Sequence, residues 1–220
     1  TLAKSGAGDV TLANASSRSG ATTVSGGAFT LGHADALQDS TVTLSGGTLH
    51  FGSLTNANLG GLAGSTDLAL TNGSAADVAL TVGSNDDSTT FSGVLSGGGA
   101  LTKTGTGTLT LSSANTFSGD ATVAAGTLDL AHAQALQNAS ANLSGGSLSF
   151  TDITAATVGS LRGSQDLALT NGSDAAVAFT TGGDNSSTTY SGVLSGTGSL
   201  TKTGTGSLTL SAANTFTGDS

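Results

Sequence analysis

The sequence predicts an all-β fold: a right-handed parallel β-helix of about eleven coils, forming one continuous body over residues 1–220. Three observations predict it. The chain repeats itself every 99 residues, short apolar tripeptides recur at a near-constant spacing inside each repeat, and the composition is rich in turn formers.

The repeat fixes the organisation. Gly64–Ser74 returns at residues 163–173 with one change, Thr66 to Gln165. Phe91–Gly119 returns as Tyr190–Gly218 with 23 of 29 positions identical, and Leu2–Phe51 aligns with Leu101–Phe150 without a gap. The units are approximately 1–99, 100–198 and a partial 199–220.

The shorter period sets the coil. Nine tripeptides carry apolar residues at both ends. The first unit holds Val10-Thr-Leu12, Phe29-Thr-Leu31, Leu49-His-Phe51 and Leu68-Ala-Leu70; the second holds Leu109-Thr-Leu111, Leu128-Asp-Leu130, Leu148-Ser-Phe150 and Leu167-Ala-Leu169; Leu208-Thr-Leu210 opens the third. A spacing of two is strand periodicity, so both end residues face inward and the middle one faces out. On this reading Asp129 is solvated and its replacement by serine is silent. The spacings of 19, 20, 19 and then 41 read as five coils per unit, the last gap holding two coils and the polar loop Ser84–Ser88 or Asp184–Ser187. Stacked coils form one continuous inner ladder, in a rod about 50 Å long at roughly 4.8 Å per coil.

The composition agrees. Glycine supplies 35 of 220 residues, and Pro, Cys, Met, Trp and Glu are absent. Turn residues are frequent, which suits many short strands. Apolar residues make up 36% with a mean hydropathy of +0.14, and their regular placement argues against disorder. No segment has the i, i+3, i+4, i+7 pattern of a helical solenoid; Ala34–Gln38 and Ala133–Gln137 read as single helical turns at corners. An antiparallel sandwich does not predict a coil length held in register along the whole chain. A net charge of −9 argues against nucleic acid and anionic membranes as partners. No apolar run is long enough for a membrane helix, and no signal peptide is visible. The lack of cysteine suits passage through an oxidising compartment. A chain that opens at Thr1 and breaks off inside a repeat reads as a fragment of something longer.

Residues 91–128 read FSGVLSGGGALTKTGTGTLTLSSANTFSGDATVAAGTL, and residues 190–220 read YSGVLSGTGSLTKTGTGSLTLSAANTFTGDS. This run resembles the autotransporter-associated β-strand repeat, also called the passenger-associated transport repeat. Residues 2–31 resemble it with departures: Arg18 stands where the pattern has Phe117, and Ser16 where it has Asn115. The resemblance implies a type V secreted passenger, exported through the periplasm and outer membrane to the cell surface. Its parent would carry a Sec signal before this segment and an outer-membrane β-barrel after it, so the segment itself does not insert in a membrane.

The candidate chemistry is sparse. His33 and His132 are equivalent positions too far apart to share a metal, and His50 faces outward. Lys4, Lys103 and Lys202 recur at the repeat spacing, and each is read as hydrated or paired with an aspartate. Asn85-Asp86-Asp87 and Asp184-Asn185 offer oxygen ligands to calcium, but the calcium-binding nonapeptide is absent. Gly105-Thr-Gly107 completes no phosphate loop, and no G-x-S-x-G elbow is present. Asn72, Asn115, Asn171 and Asn214 read as turn formers. A lyase groove needs clustered aspartates with basic residues, and the only arginines are Arg18 and Arg162. No catalytic, cofactor-binding or metal-ligating residue is therefore assigned, no cofactor is implied, and the segment is not expected to be an enzyme. The expectation is a structural and adhesive segment supporting attachment or autoaggregation, through self-association or contact with host matrix. The alternative is an inert stalk displaying a functional, even enzymatic, domain elsewhere in the parent.

Overall fold

The computed structural model describes residues 1–220. It consists of 24 short strands and no helix, and every pairing between strands is parallel. The only antiparallel bridges, Thr71 to Asp77 and Thr170 to Ala176, lie inside single turns. The coils stack as a β-solenoid of about ten turns.

Each coil has three walls, and the register of the strands traces them. The first wall runs Lys4, Val24, Leu44, Gly64, Phe91, Leu111, Leu130, Phe150. The second begins Val10, Phe29, Leu49, passes Leu68 and Leu95, and continues through Leu136 to Val158. The third runs Leu37, Leu59, Val82, Lys103, Val123, Leu143, Gly163, Tyr190, Leu210. Most steps along a wall are close to the spacing of the tripeptides. Longer steps carry Gly64 to Phe91 and Gly163 to Tyr190.

These walls correct the expected single ladder. Leu109–Leu111 does not continue the column of Leu68–Leu70. It stacks on Thr89–Phe91, one wall away, while Leu68 stacks under Leu95. Likewise Leu101–Lys103 opens the second unit on the third wall, upon Leu80–Val82, whereas its equivalent Leu2–Lys4 opened the first unit on the first wall. Lys202 then falls on the second wall, against Thr181. One repeat unit thus spans about four and two-thirds coils rather than five, and each unit is turned by one wall relative to the last. This shortens the stack to about ten coils. The gap between Leu70 and Leu109 holds fewer than two coils, with a turn over Asn72–Ala76 and another at Ser84–Asn85.

The inward assignment holds wherever a coil is covered on both sides. Phe29, Leu31, Leu49, Phe51, Leu68, Leu70, Leu109, Leu111, Leu128, Leu130, Leu148, Phe150, Leu167 and Leu169 are buried in one continuous core. At the ends of the stack, Val10 is 38% exposed, and Leu12, Leu208 and Leu210 are half-buried. Apolar burial stabilises by about 25 cal/mol per Å², so each coil depends on its neighbours for most of its stability. The corners at Ala34–Ala36 and Ala133–Ala135 are single turns, closed by Ala36 N–H to His33 O (3.2 Å) and Ala135 N–H to His132 O (3.0 Å). The following Leu37 and Leu136 already belong to strands.

Asp129 departs from expectation. It is only 5% exposed. Its carboxylate accepts from Ser149 Oγ at 2.7 Å and from Thr151 Oγ1. The side chain leaves the coil outward, but the turn that follows Phe150 folds back across it. Facing away from the core is not the same as facing water when the next coil overhangs the wall.

Candidate functional site

The outer surface is built from the middle residues of the strands, which align in files along the rod. One file reads Thr90, Thr110, Asp129, Ser149. Another reads Thr81, Thr102, Thr122, Asn142, Arg162. The files are hydroxyl-rich and nearly flat, and three polar depressions interrupt them.

Two depressions are equivalent, one per unit. The first is lined by Thr30, His50, Phe51, Asp67 and Asn72, the second by Asp129, Ser149, Phe150, Asp152 and Asn171. Each is framed by an asparagine-centred turn. Asn72 Oδ1 accepts from Ser74 N–H (2.9 Å) and Ala76 N–H (3.0 Å), and Asn171 does the same for Ser173 and Ala175, both at 3.0 Å. These two asparagines are the turn formers the sequence suggests. The third depression surrounds Arg162 and Asp120, which form an ion pair across two coils.

Asn115 and Asn214 are not turn formers. Asn115 is buried and braces three coils. Its Oδ1 accepts from Leu95 N–H at 2.8 Å, one coil back, and its Nδ2 donates to Ala135 O at 3.0 Å, one coil on. Asn214 accepts from Leu194 N–H in the same way, and its amide donates to Ala212 O. A carboxamide supplies both a donor and an acceptor, which is what two flanking coils require.

The lysines are also placed differently. Lys103 is 1% exposed and Lys4 is 6% exposed. Lys103 sits at an inward strand position, so its methylenes lie in the core and its head reaches the corner. There it donates to Thr104 O and to Gly105 O (3.1 Å). Lys4 donates to Gly6 O (2.7 Å) and Gly26 O (2.6 Å). Neither is paired directly with an aspartate. Lys202 lies on the last coil and is exposed. Burial pulls the pKa of Lys103 below the ordinary lysine range, and the charge of Asp86 partly offsets this. The unfolded chain, with an ordinary lysine near about 10.4, therefore binds more protons than the folded one as pH rises towards that value. Stability should rise with pH in that window. Urea midpoints of the wild type should climb relative to those of Lys103→Met as pH rises towards that ordinary lysine value; midpoints that stay parallel would refute the assignment.

The remaining candidates serve the fold. His33 Nδ1 accepts from Asp35 N–H and His132 Nδ1 from Gln134 N–H, both at 3.1 Å. His50 is exposed and meets Thr48 Oγ1 at 3.0 Å. Asp86 adopts a left-handed φ of 62° and accepts from Thr106 N–H at 2.6 Å; this bond holds its carboxyl below the usual range. Asn185 makes the equivalent bond to Thr205 N–H at 2.9 Å. Asp87 accepts from Thr41 Oγ1 at 2.5 Å and Asn85 Nδ2 at 2.9 Å. Asp86 and Asp87 thus hold neighbouring coils together, Asp184 accepts from Ser186 N–H (2.8 Å) within its own turn, and no group of three or more His and Asp residues converges. No helix is long and apolar enough to cross a membrane.

Comparison with known proteins agrees with the repeat structure. The family model of the passenger-associated-transport-repeat matches residues 2–31, 101–130 and 200–220. The first match includes Ser16 and Arg18, so their departures do not remove that copy from the family pattern. The chain is also similar to the adhesin BmaC autotransporter of Brucella suis biovar 1 (strain 1330), with 35% identity over 115 residues. That alignment covers 51% of this chain and 3% of the relative, so this chain corresponds to a small part of the length of that protein. No solved structure matches.

Proposed function

Because this chain is a repeat-bearing segment of the autotransporter passenger type, we propose that it is an adhesive length of cell-surface rod, without catalysis, acting through many weak polar contacts along its sides. The observation that carries this reading is the set of outward hydroxyl files, such as Thr81 to Arg162 on one wall. Similarity to part of a protein named as an adhesin supports it. A single exposed hydrogen bond contributes about 0.5–1.5 kcal/mol. Contact must therefore extend over several coils to hold, and multivalency makes association depend steeply on rod length.

The test is display of the parent protein on a non-clumping bacterial host, intact or lacking residues 100–198. The deletion preserves the repeat junction, and settling and surface attachment are compared at equal surface expression. The shortened form should settle and attach several-fold less. Equal behaviour, together with a purified chain that neither self-associates nor binds host matrix, would make the segment a spacer that displays function located elsewhere in the parent.

A further inference from the structure

We infer that Asn72 and Asn171 are deamidation sites, each closed while the preceding coil is stacked against its turn and open once that coil peels away. The chain has eleven asparagines, and only these two precede glycine. Glycine has no Cβ to obstruct the approach of its nitrogen to the neighbouring side chain, and asparagine is a thermolabile residue. In the reaction the glycine nitrogen bonds to the asparagine Cγ and gives up its proton. The Cγ–Nδ2 bond breaks, and ammonia leaves carrying that proton. Water then opens the cyclic imide at either carbonyl, leaving aspartate or isoaspartate.

The stacked rod ties down both the nucleophile and the leaving group. Gly73 N–H donates to Gly52 O at 2.7 Å, and Gly172 N–H is shared between Phe150 O at 3.0 Å and Thr151 O at 2.9 Å. Asn72 Nδ2 donates to Leu54 O at 3.1 Å, and Asn171 Nδ2 to Ile153 O at 3.3 Å. All of these carbonyls belong to the preceding coil, so one neighbour holds both reacting groups at each site. The turns are also strained, because Ala75 and Asp174 take left-handed φ values of 59° and 58°, a conformation that persists only while surrounding bonds impose it. When the preceding coil departs, the glycine nitrogen and the carboxamide come free together. Gly73 and Gly172 are already exposed, so water is at hand to open the imide. The product does not fit back. Aspartate sets an oxygen against Leu54 O or Ile153 O where a donor stood, and isoaspartate reroutes the backbone through the side chain. The reaction therefore records time spent unstacked and marks that coil against restacking, whether or not the rods adhere to one another.

The purified chain is held in mildly alkaline buffer, folded or unfolded in guanidinium chloride, and sampled over days. Peptide mass mapping follows the gain that accompanies exchange of the amide NH₂ for OH, and isoaspartate is separated from aspartate by chromatography. In the unfolded chain the peptides containing Asn72 and Asn171 should convert ahead of all other asparagine peptides. In the folded chain both should react about tenfold more slowly or less, because only the locally opened fraction can react. The slowdown should follow the protection of the Gly73 and Gly172 amides against hydrogen exchange, since both processes need the same opening. Gly73→Ala, compared in guanidinium chloride where folding plays no part, should slow conversion at Asn72 and leave Asn171 unchanged. Equal rates in the folded and unfolded chains, conversion while the two glycine amides stay protected, or an Asn72 rate indifferent to Gly73→Ala would overturn the inference.

Discussion

Replacing Leu130 with aspartate should unfold the coils on either side of it. Leu130 is fully buried on the first wall, between Leu111 and Phe150. Truncating such a leucine costs about 2–5 kcal/mol. Burying a carboxyl group without a partner adds to that. Coil stability in a solenoid is shared between nearest neighbours, so the loss should appear locally. Hydrogen exchange at Leu109–Leu111 and Leu148–Phe150 should accelerate by orders of magnitude, with coils near Leu37 and Leu59 much less affected. Asp129→Ala, at the adjacent position, should cost less, about 1–3 kcal/mol, because it removes an acceptor shared by Ser149 and Thr151. The strand pattern alone expects Asp129 to be dispensable. Equal protection in Leu130→Asp and wild type would break the wall assignment.

Gly105→Val should be comparably damaging, for a backbone reason. Gly105 has φ of +65°, a region where a β-branched residue is strongly disfavoured. A Cβ at this site would collide with Gly83 O and lie 2.8 Å from Asp86 Oδ1. The obstacle is the backbone of the coil below, so no side-chain rotation relieves it. The two coils must separate, losing the Thr104 N–H bond to Val82 O (2.8 Å) and the Asp86 bond to Thr106. A loss of about 3 kcal/mol or more is expected from backbone strain and lost bonds combined. Gly183→Ala is the control: it lies in open space with no left-handed φ and should shift stability by no more than about 0.5 kcal/mol. Urea unfolding followed by circular dichroism distinguishes the two. A Gly105→Val chain as stable as Gly183→Ala would show that the corner is not close-packed.

The two substitutions bracket what holds the rod together. Leu130 belongs to the apolar interior that runs unbroken through the stack. Gly105 belongs to the corners, where backbone passes within reach of backbone and side-chain donors tie one coil to the next. Asn115 and Lys103 act between the same corners and core, one bridging coils through its amide and the other closing carbonyls from inside.

The sequence by itself determined what depends on near neighbours along the chain. Period-two alternation marked Leu128 and Leu130 as inward, because successive strand residues face opposite ways whatever surrounds them. The even recurrence of apolar tripeptides marked the coil. Asn72-Gly73 and Asn171-Gly172 marked turns, and the bonds that the asparagine Oδ1 atoms accept stay within the turn itself. The tertiary structure alone decided what depends on groups one or two coils apart. Asn115 braces coils only because Leu95 and Ala135 stack on either side of it, and Arg162 meets Asp120 only across two coils. The burial of Asp129 and Lys103 was hidden for the same reason: the groups that cover them arrive from other coils. The rotation by one wall per unit is the clearest case. Coils differ in length, so that Val10 stacks on Phe29 over a short step while Gly64 stacks on Phe91 over a longer one. Their accumulated sum decides which wall a repeat begins on. All three walls accept the same inward Leu, Val and Phe, so no local preference records the wall. Equivalent motifs such as Leu2–Lys4 and Leu101–Lys103 therefore face different directions on the finished rod.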